Sequence, residues 1–396
     1  MDPITHALSG AVVARAFVPR SGQPRAVQPV RWALILGSIF PDLDVIARPF
    51  VPDDFSTIRF HRSITHSLVC LPVWALLFAL GAAWFWRRRG IPAPHRAIGA
   101  AFGTGIGLHI LFDCITSFGT MVWSPISWTR VHWDWTFIID LSLTGVLLFF
   151  LLISWVADAN DVASLHRARR AAIMLALMGS LVGAYALAGR GLGTPASPWS
   201  LASVLAIAAL PLLAASSGRS LVLSSSTWCR VGFLAAAAYL GMDAWAHARA
   251  LEQVRVYAAL AGLDAPETSA IPLPPNRNYW HGLARTPAAA YEWMLSLAEP
   301  PAVPLPTSIT PVASGEPCPP TLWTVPQVQI WRRFARFPVV VCSRVPGGNA
   351  AQFEDLAFRR PAVQWPDDLH SRPLPFTWRI TFDDQGRPLS QGWVIR

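Results

Sequence analysis

The first 250 residues alternate long apolar runs with short polar connections, and this pattern predicts membrane helices. Eight apolar segments stand out. They extend over approximately Ile4–Val18, Val30–Ile46, Ile64–Trp86, Ala97–Phe118, Phe137–Ala157, Ala171–Ala188, Trp199–Ser216 and Cys229–His247. The first two are short for a full membrane span, so we expect them to be tilted or partly re-entrant.

The composition agrees with this pattern. The chain is 53% hydrophobic and only 14% charged, whereas soluble domains contain about 25% charged residues. We therefore predict a mainly α fold, a polytopic membrane helix bundle of about eight helices. All basic residues are arginines, and they are scattered among loops without forming a basic stripe, which argues against direct binding of nucleic acid.

The placement of arginines predicts the orientation in the membrane. The loops after segments one, three, five and seven contain Arg20, Arg25, Arg31, Arg87, Arg88, Arg89, Arg96, Arg167, Arg169, Arg170, Arg219 and Arg230. The alternate loops contain fewer: Arg48, Arg59, Arg62, Arg130 and Arg190. Both termini are therefore expected outside the cytoplasm. The N-terminus lacks a basic region, so we expect no cleaved signal peptide.

The composition changes after His247 and suggests four regions. We assign residues 1–157 to a membrane core with the candidate metal site and residues 158–262 to additional membrane helices. Residues 263–314 are rich in proline and are expected to be a linker with one short helix, from Thr286-Pro287 to about Glu299. Residues 315–396 are predicted to form a small β-rich domain outside the membrane.

The last region contains five strand-like runs. They are Gln327–Phe334, Phe337–Ser343, Phe353–Phe358, Phe376–Phe382 and Gln391–Ile395. Asp383–Gly386 is a turn signal that predicts a hairpin between the last two. Cys318 and Cys342 could pair in an oxidising compartment, but we expect them unpaired because connectivity cannot be deduced from spacing. No CxxC pair occurs, which argues against a thiolate zinc site.

Histidine and aspartate residues recur near the outer ends of the first five apolar segments. His61 and His66 lie where the chain enters a long uncharged run, and His109 and Asp113 are four residues apart on one helix face. Gly105 lies one turn before His109 and leaves room for a close approach. The alternatives are interfacial histidines that bind water and lipid headgroups, or a buried His–Asp hydrogen bond.

Taken together, eight candidate ligands are predicted to lie at the same depth, near the outer side of the membrane: His6, Asp42, Asp44, His61, His66, His109, Asp113 and Asp134. Imidazole and carboxylate without thiolate suit Zn, Mn or Fe. Eight ligands exceed the needs of one tetrahedral zinc, so we expect two divalent ions with an open position for water.

Four motifs resemble the membrane-bound metal-dependent hydrolase family, also described as LexA-binding, inner-membrane-associated hydrolases. They are Met1–Ala7, Phe40–Asp44, His61–Ser67 and His109–Asp113, the last followed by Ser117–Thr120. The resemblance covers roughly residues 1–141 and implies a multi-pass bacterial inner-membrane protein that catalyses metal-dependent hydrolysis. The His-x-x-x-Asp spacing is also similar to that of zinc-dependent phospholipase C enzymes, which points to phosphoesters.

These observations lead to a functional hypothesis. The chain is expected to hydrolyse a phosphoester or other ester of a lipid or lipid-linked substrate, with its C-terminal domain in the periplasm. The expected metal ligands are His6, Asp42, Asp44, His61, His66, His109 and Asp113. Asp42 or Asp134 would orient the attacking water or act as the base, and Arg62 would neutralise developing negative charge.

Two other function classes stay open. The chain could be a binding or regulatory membrane protein, such as a stress-response partner of another protein, with a structural metal or none. A cation transporter is the third hypothesis, and it ranks last because segments six and seven contain almost no polar residues.

Overall fold

The computed structural model describes most of the chain. The described residues are 1–18, 24–47, 50, 55–91, 94–158, 164–191, 197–217, 221–274, 277–298, 305–315, 318–359 and 374–394. They divide into two compact units. The first, the helical unit, comprises Met1–Asp44 and Arg62–Met242, and the second, the C-terminal unit, comprises Val45–His61 and Asp243–Arg396.

The described residues contain eleven α-helices. They are α1 (Pro3–Phe17), α2 (Pro24–Gly37), α3 (Asp44–Ala47), α4 (Ser56–Arg59), α5 (Leu71–Arg87), α6 (His95–Cys114), α7 (Leu141–Ala157), α8 (Ser164–Gly191), α9 (Pro198–Ser216), α10 (Ser225–Leu260) and α11 (Pro326–Phe334). Seven of the eight predicted apolar segments lie mainly in one of these helices, since the apolar runs contain few breakers. The second segment, Val30–Ile46, is divided among the end of α2, a 3₁₀-helix at Phe40–Leu43 and α3. Arg20, Arg48 and Arg219 lie outside the described residues.

Three of the described helices are long and apolar enough to cross a membrane. These are α6, α8 and α9, and a bent helix pair that ends at Arg87 would make a fourth. Helix α7 is apolar but shorter. The expected number of about eight membrane helices is therefore not confirmed. Several large apolar side chains on α8 and α9, including Leu187 and Leu213, are exposed, as expected for helices that face lipid.

Aspartate side chains cap the N-termini of two helices in the helical unit. Asp2 accepts a hydrogen bond from the backbone N–H of Thr5 (3.0 Å), and Pro3 occupies the first turn of α1. Asp140 accepts hydrogen bonds from the N–H groups of Ser142 (2.9 Å) and Leu143 (3.0 Å) at the start of α7. Asp140 is thus a helix cap, which satisfies a carboxylate at the edge of an apolar run.

Glycines allow the backbones of α2 and α6 to approach closely. A Cβ atom on Gly105 would lie 2.3 Å from the carbonyl oxygen of Leu34, and one on Gly37 would lie 2.3 Å from that of Phe102. The space expected beside Gly105 is therefore filled by α2. This packing places the end of α2 beside His109 on α6.

The C-terminal unit contains two sheets. The strands are β1 (Glu267–Pro272), β2 (Tyr279–Arg285), β3 (Ala289–Ser296), β4 (Ser308–Pro311), β5 (Ala313–Gly315), β6 (Pro338–Val345), β7 (Gly348–Asp355), β8 (Trp378–Phe382) and β9 (Pro388–Trp393). The first sheet has the antiparallel order β1-β2-β3-β4, and the second has the order β5-β6-β7-β8-β9 with only β5 and β6 parallel.

Several expectations for this unit are wrong. The region 263–314, predicted to be a linker, contains the first sheet. The short helix predicted within this region is strand β3, which pairs with β2, and its buried residues do not recur at the spacing of a helical face. The predicted strand Gln327–Phe334 is helix α11. Its buried residues, Val328, Trp331 and Phe334, recur every three positions, which places them on one face of a helix.

Other expectations for the second sheet agree better with the observed strands. Strands β6 and β8 overlap the predicted runs, and β8 and β9 form the expected hairpin at Asp383–Gly386, where Gly386 has φ +76°. The predicted strand Phe353–Phe358 overlaps strand β7 only as far as Asp355, where β7 ends. Ile395, the last residue of the fifth predicted strand, lies outside the described residues. Cys318 and Cys342 form a disulfide, so the expected unpaired state is wrong.

An ionic cluster centred on a buried glutamate lies on the first sheet. The carboxylate of Glu292 on β3 is 3.0 Å from Nε2 of His281 on β2 and 2.6 Å from Nη1 of Arg359. Burial raises the pKa of Glu292, but its contacts with His281 and Arg359 outweigh this effect and lower the pKa overall.

Candidate metal site

Four side chains of the helical unit converge on one point. Asp42, His66, His109 and Asp113, hereafter the four-residue group, each offer a ligand atom, and these atoms lie within 4.8 Å of one another. His66, His109 and Asp113 are completely buried, whereas the side chain of Asp42 is 16% exposed. The group therefore opens on the side of Asp42.

Short local structures position these side chains. His109 and Asp113 are one turn apart near the end of α6. Asp42 lies in a 3₁₀-helix, Phe40–Leu43, which begins where Pro41 prevents α2 from continuing. His66 ends a second 3₁₀-helix, Ile64–His66, just before α5. Three separate stretches of chain thus supply the four ligands.

The ligand atoms are spaced as expected around a single cation. Oδ2 of Asp113 lies 3.2 Å from Nε2 of His66 and 3.4 Å from Nε2 of His109. Oδ1 of Asp42 lies 3.4 Å and 3.5 Å from the same two nitrogens, which are 3.1 Å apart. In a tetrahedral site with metal–ligand bonds of about 2.1 Å, neighbouring ligands are about 3.4 Å apart.

The hydrogen bonds around the group leave lone pairs on its inner atoms. Nδ1 of His109 lies 2.8 Å from the carbonyl oxygen of Ser38, which can only accept, so Nδ1 carries the hydrogen. Nδ1 of His66 lies 3.0 Å from Oγ1 of Thr65 and 3.8 Å from Oδ2 of Asp44. A proton on Nδ1 is favoured there by the carboxylate, so the lone pair of Nε2 faces the other ligand atoms.

Oδ2 of Asp113 supports the same conclusion. This atom is buried and has no hydrogen-bond partner among the described residues. A buried carboxylate oxygen without a partner is costly. An extra proton on one imidazole can form a hydrogen bond with only one neighbouring oxygen, whereas one metal ion can contact all four converging atoms. The residues therefore fit a divalent metal ion.

The second oxygen of Asp113 faces a cluster of positive and polar groups. Oδ1 lies 2.9 Å from Nη2 of Arg62 and 3.3 Å from Nε2 of His6, and it also contacts the amino group of Met1. The His6 ring stacks on the His109 ring with centroids 3.6 Å apart. His6 thus lies beside the four-residue group, and its Nδ1 has no hydrogen-bond partner among the described residues.

Arg62 is almost completely buried and is held by several contacts. Its Nη1 donates a hydrogen bond to Oγ1 of Thr116 (3.0 Å), and its guanidinium lies 5.0 Å from the Phe118 ring centroid. Arg130 lies 4.7 Å from the same centroid. Burial and the nearby charge of Arg62 lower the pKa of Arg130 to about 9, so the Arg130 guanidinium remains charged at neutral pH.

The remaining predicted ligands lie outside the four-residue group. Oδ2 of Asp44 accepts hydrogen bonds from the backbone N–H of Arg62 (3.2 Å) and from Oγ1 of Thr65 (3.4 Å). Asp44 therefore contacts residues that hold His66 and Asp113 and is not a member of the group. Oδ2 of Asp134 lies 3.7 Å from Nδ1 of His132. His61 belongs to the C-terminal unit.

Sequence reasoning missed the supporting contacts. The carbonyl of Ser38 and the hydroxyl of Thr116 orient His109 and Arg62, but neither has a distinctive pattern in the sequence. Thr65 is different, because it lies directly between the two histidines of the His61–Ser67 motif. A hydroxyl next to a candidate ligand is a signal that could have identified it.

The N-terminal part of the chain is similar to one known protein family. Residues 1–192 match the model of the YdjM inner membrane protein family. No curated protein and no solved structure matches the chain. The matched region contains the whole four-residue group, and the family description names a location and no reaction. With the three candidate spans, the similarity to YdjM inner membrane proteins supports an inner-membrane protein with a candidate metal site.

Proposed function

We propose that this chain is a metal-dependent hydrolase of the bacterial inner membrane. The observation that carries the proposal is the convergence of two imidazole nitrogens and two carboxylate oxygens, with lone pairs directed inward. Each carboxylate oxygen lies 3.2–3.5 Å from both nitrogens, and the nitrogens are 3.1 Å apart. Such a set binds divalent metals, and a metal with an accessible position can activate water.

The proposed site holds one ion, with Asp42, His66, His109 and Asp113 as ligands. Zinc fits the spacing, and manganese or iron also fits the donor types. The two ions expected from the sequence are harder to accommodate. Oδ1 of Asp113 is already paired with Arg62 at 2.9 Å, and the positive charge of Arg62 would repel a second cation beside it.

When bound, the metal would lower the pKa of a water molecule and supply a nucleophile at neutral pH. Asp42 is the exposed member of the group, so we propose that it orients this water or accepts its proton. Asp134 is the second candidate for the base. Arg62 holds Asp113 in position, and its charge would also stabilise negative charge that develops on the substrate.

We propose a lipid or lipid-linked phosphoester as the substrate. The segment between α6 and α7 presents Trp123, Ile126 and Trp128 to the surroundings, and Ile126 is 79% exposed. Aromatic side chains between two apolar helices are typical of the membrane–water interface. A substrate held at this interface would be close to a site at the end of α6.

We also propose that the site and the C-terminal unit face the periplasm. The distribution of arginines supports this orientation. The disulfide between Cys318 and Cys342 supports it independently, because disulfides persist in the periplasm and are rare in the cytosol.

Metal content and hydrolysis test the proposal. Full-length protein purified in detergent should contain about one metal ion per chain and hydrolyse a phosphodiester lipid. His66→Ala and His109→Ala should remove the metal and lower kcat/KM by about 100-fold or more. His95→Ala is the matched control, since His95 is an exposed histidine on the same helix as His109. Wild-type protein that is folded and metal-free would contradict the proposal.

A structural metal site in a binding or regulatory protein is the second candidate. Three of the four ligands are fully buried, and four protein ligands complete a tetrahedral zinc, as in structural sites. This alternative predicts tightly bound metal with no hydrolysis of phosphoesters or carboxylic esters. In that case, loss of the metal should lower the thermal stability of the helical unit without any loss of turnover.

A further inference from the structure

Two arginines of the helical unit lie beside one aromatic ring. The guanidinium carbon of Arg62 lies 5.0 Å from the centroid of the Phe118 ring, and that of Arg130 lies 4.7 Å from the same centroid. Each contact between a guanidinium group and the ring is favourable. The two positive charges repel each other, however, so their proximity requires a reason.

Backbone contacts hold Arg130 in this position. Thr120 and Val131 form an isolated antiparallel bridge, with N–H···O distances of 2.9 Å in both directions. Nη1 of Arg130 donates a hydrogen bond to the carbonyl oxygen of Gly119 (3.1 Å). Gly119 has φ +73°, and a Cβ atom there would lie 3.2 Å from Cβ of Arg130. A glycine directly after Phe118 therefore allows Arg130 to pack against this turn.

Arg62 is held from the side of the metal ligands. Its Nη2 lies 2.9 Å from Oδ1 of Asp113, and its Nη1 donates to Oγ1 of Thr116 (3.0 Å). Its backbone carbonyl accepts a hydrogen bond from the N–H of Met121 (2.9 Å). Nε of Arg62 is buried and has no hydrogen-bond partner among the described residues. This guanidinium therefore has a donor that a further acceptor would satisfy.

The charges around the Phe118 ring do not balance. The proposed divalent ion is neutralised by Asp42 and Asp113, and the two arginines add two positive charges. Asp44 adds one negative charge, 3.2 Å from the backbone N–H of Arg62. Burial and the charge of Arg62 lower the pKa of Arg130 more than the charge of Asp113 raises it. An anion beside Arg130 is therefore electrostatically favoured.

A phosphate group suits this place better than an uncharged ester does. The planar guanidinium group pairs with two phosphate oxygens at once, and an uncharged ester gains little from the positive charge. The side chain of Arg130 is only partly buried, so a ligand can reach it. Asp113 contacts Arg62 through Oδ1 and lies 3.2 Å from Nε2 of His66 through Oδ2. The arginines therefore adjoin the proposed metal position.

We propose that Arg130, with the charge of Arg62 beside it, binds the phosphate group of the substrate and selects phosphoesters over uncharged esters. This inference rests on the proposed function, because it places the phosphate next to the proposed metal ion. It adds a specificity-determining residue that lies outside the motifs identified in the sequence.

Phosphate binding to the metal-loaded, full-length protein tests this inference. Isothermal titration calorimetry in detergent gives the Kd of inorganic phosphate for wild-type and Arg130→Ala protein. The variant should bind phosphate about 10- to 100-fold more weakly, because it loses hydrogen bonds to a charged group. Its metal content should stay at the wild-type value. Arg130→Lys should have an intermediate affinity, since lysine keeps the charge but not the planar fork.

Two short-chain lipids distinguish a lipid phosphate from a free phosphate. Arg130→Ala should weaken the binding of dihexanoyl phosphatidic acid and leave that of dihexanoylglycerol unchanged, because only the first lipid carries a phosphate. Equal losses for both lipids would overturn the inference. Tighter binding of the phosphatidic acid than of inorganic phosphate supports a lipid ligand. Equal affinities would support phosphate binding but contradict the lipid substrate of the proposed function.

Arg89 provides the matched control. Its exposed side chain places the guanidinium carbon 4.0 Å from the Phe85 ring centroid. It follows the C-terminal end of α5, whereas His66 precedes the N-terminal end. Arg89→Ala should therefore bind phosphate with wild-type affinity. If Arg130→Ala does not fold, Arg130→Gln and Arg130→Lys provide the comparison.

The outcomes separate this inference from the proposed function. Wild-type protein that binds no metal contradicts the proposed function itself. Metal-loaded wild-type protein that binds no phosphate, or binds it no more tightly than Arg130→Ala does, overturns only the role of Arg130. Loss of metal from Arg130→Ala together with loss of phosphate binding would also overturn it, because Arg130 would then have a structural role.

Discussion

At the scale of single residues, His66 is oriented by two groups on the side away from the other ligands. Its Nδ1 lies 3.0 Å from the Thr65 hydroxyl, and that hydroxyl lies 3.4 Å from the Asp44 carboxylate. Such outer contacts hold the imidazole in the tautomer whose Nε2 lone pair faces the other ligand atoms. The second aspartate of the Asp42–Asp44 pair therefore supports the site indirectly, in place of the ligand role expected for it.

Thr65→Val tests this support. Valine has nearly the same shape as threonine but cannot form the hydrogen bond, so metal affinity should fall by about tenfold while the fold is retained. The measurement is Zn²⁺ titration of detergent-purified protein. Thr104→Val is the control, because Thr104 is an exposed threonine on α6 whose hydroxyl bonds only to the backbone of its own helix in the described contacts. Equal affinities in wild-type and Thr65→Val protein would refute the role of Thr65.

At the scale of elements, the approach of α2 and α6 determines the position of the site. Gly37 and Gly105 allow direct backbone contact, which brings the Ser38 carbonyl within 2.8 Å of His109. Larger residues would separate the two helices and withdraw Asp42 from His109 and Asp113. Small residues at helix interfaces have this effect generally in membrane proteins.

Two alanine substitutions on α6 test this packing. Gly105→Ala places a Cβ atom 2.3 Å from the carbonyl oxygen of Leu34 and should destabilise the protein by about 1–3 kcal/mol, with loss of bound metal. Gly107→Ala meets nothing within 4 Å and should be neutral or stabilising by up to about 1 kcal/mol. Thermal unfolding and metal analysis of both variants give the comparison. Similar behaviour of the two variants would contradict the proposed packing.

At the scale of the whole molecule, the disulfide of the C-terminal unit bears on the compartment proposed for that unit. The Cys318–Cys342 bond closes a loop of 24 residues in sequence. A crosslink of this length stabilises a fold by about 3 kcal/mol, mainly by restricting the unfolded chain. A periplasmic C-terminal unit would acquire this bond as it folds.

Thiol labelling in intact cells and stability measurements test this prediction. Cys318 and Cys342 should resist an alkylating reagent until a reductant is added, and the double Cys318→Ala, Cys342→Ala variant should lose about 3 kcal/mol of unfolding free energy in the C-terminal unit. Cys70→Ala is the control, because Cys70 is a free and partly buried cysteine. Labelling of Cys318 and Cys342 without reductant would contradict a periplasmic location.

Local patterns in the sequence predicted most of the long helices, and the candidate ligands that they indicated include the four residues of the group. Apolar runs predicted the helical segments, because chain entering lipid must satisfy its own backbone hydrogen bonds. The four-residue spacing of His109 and Asp113 and the proline before Asp42 likewise act over one or two turns, so they could be recognised without a fold. The predictions were wrong at α11, expected as a strand, and at β3, expected as a helix. A short apolar stretch fits either structure until its packing partners are known.

Tertiary structure decided which residues meet. Asp42, His66, His109 and Asp113 come from three separate stretches, and their convergence depends on the glycine contacts between α2 and α6. The disulfide between Cys318 and Cys342 and the contacts of Phe55 with Trp378 and Trp393 likewise join residues that are distant in sequence. Sequence alone determined the local structures and the chemistry available, because these depend on neighbouring residues. The assembled site required the fold, because its contacts form only when distant segments pack together.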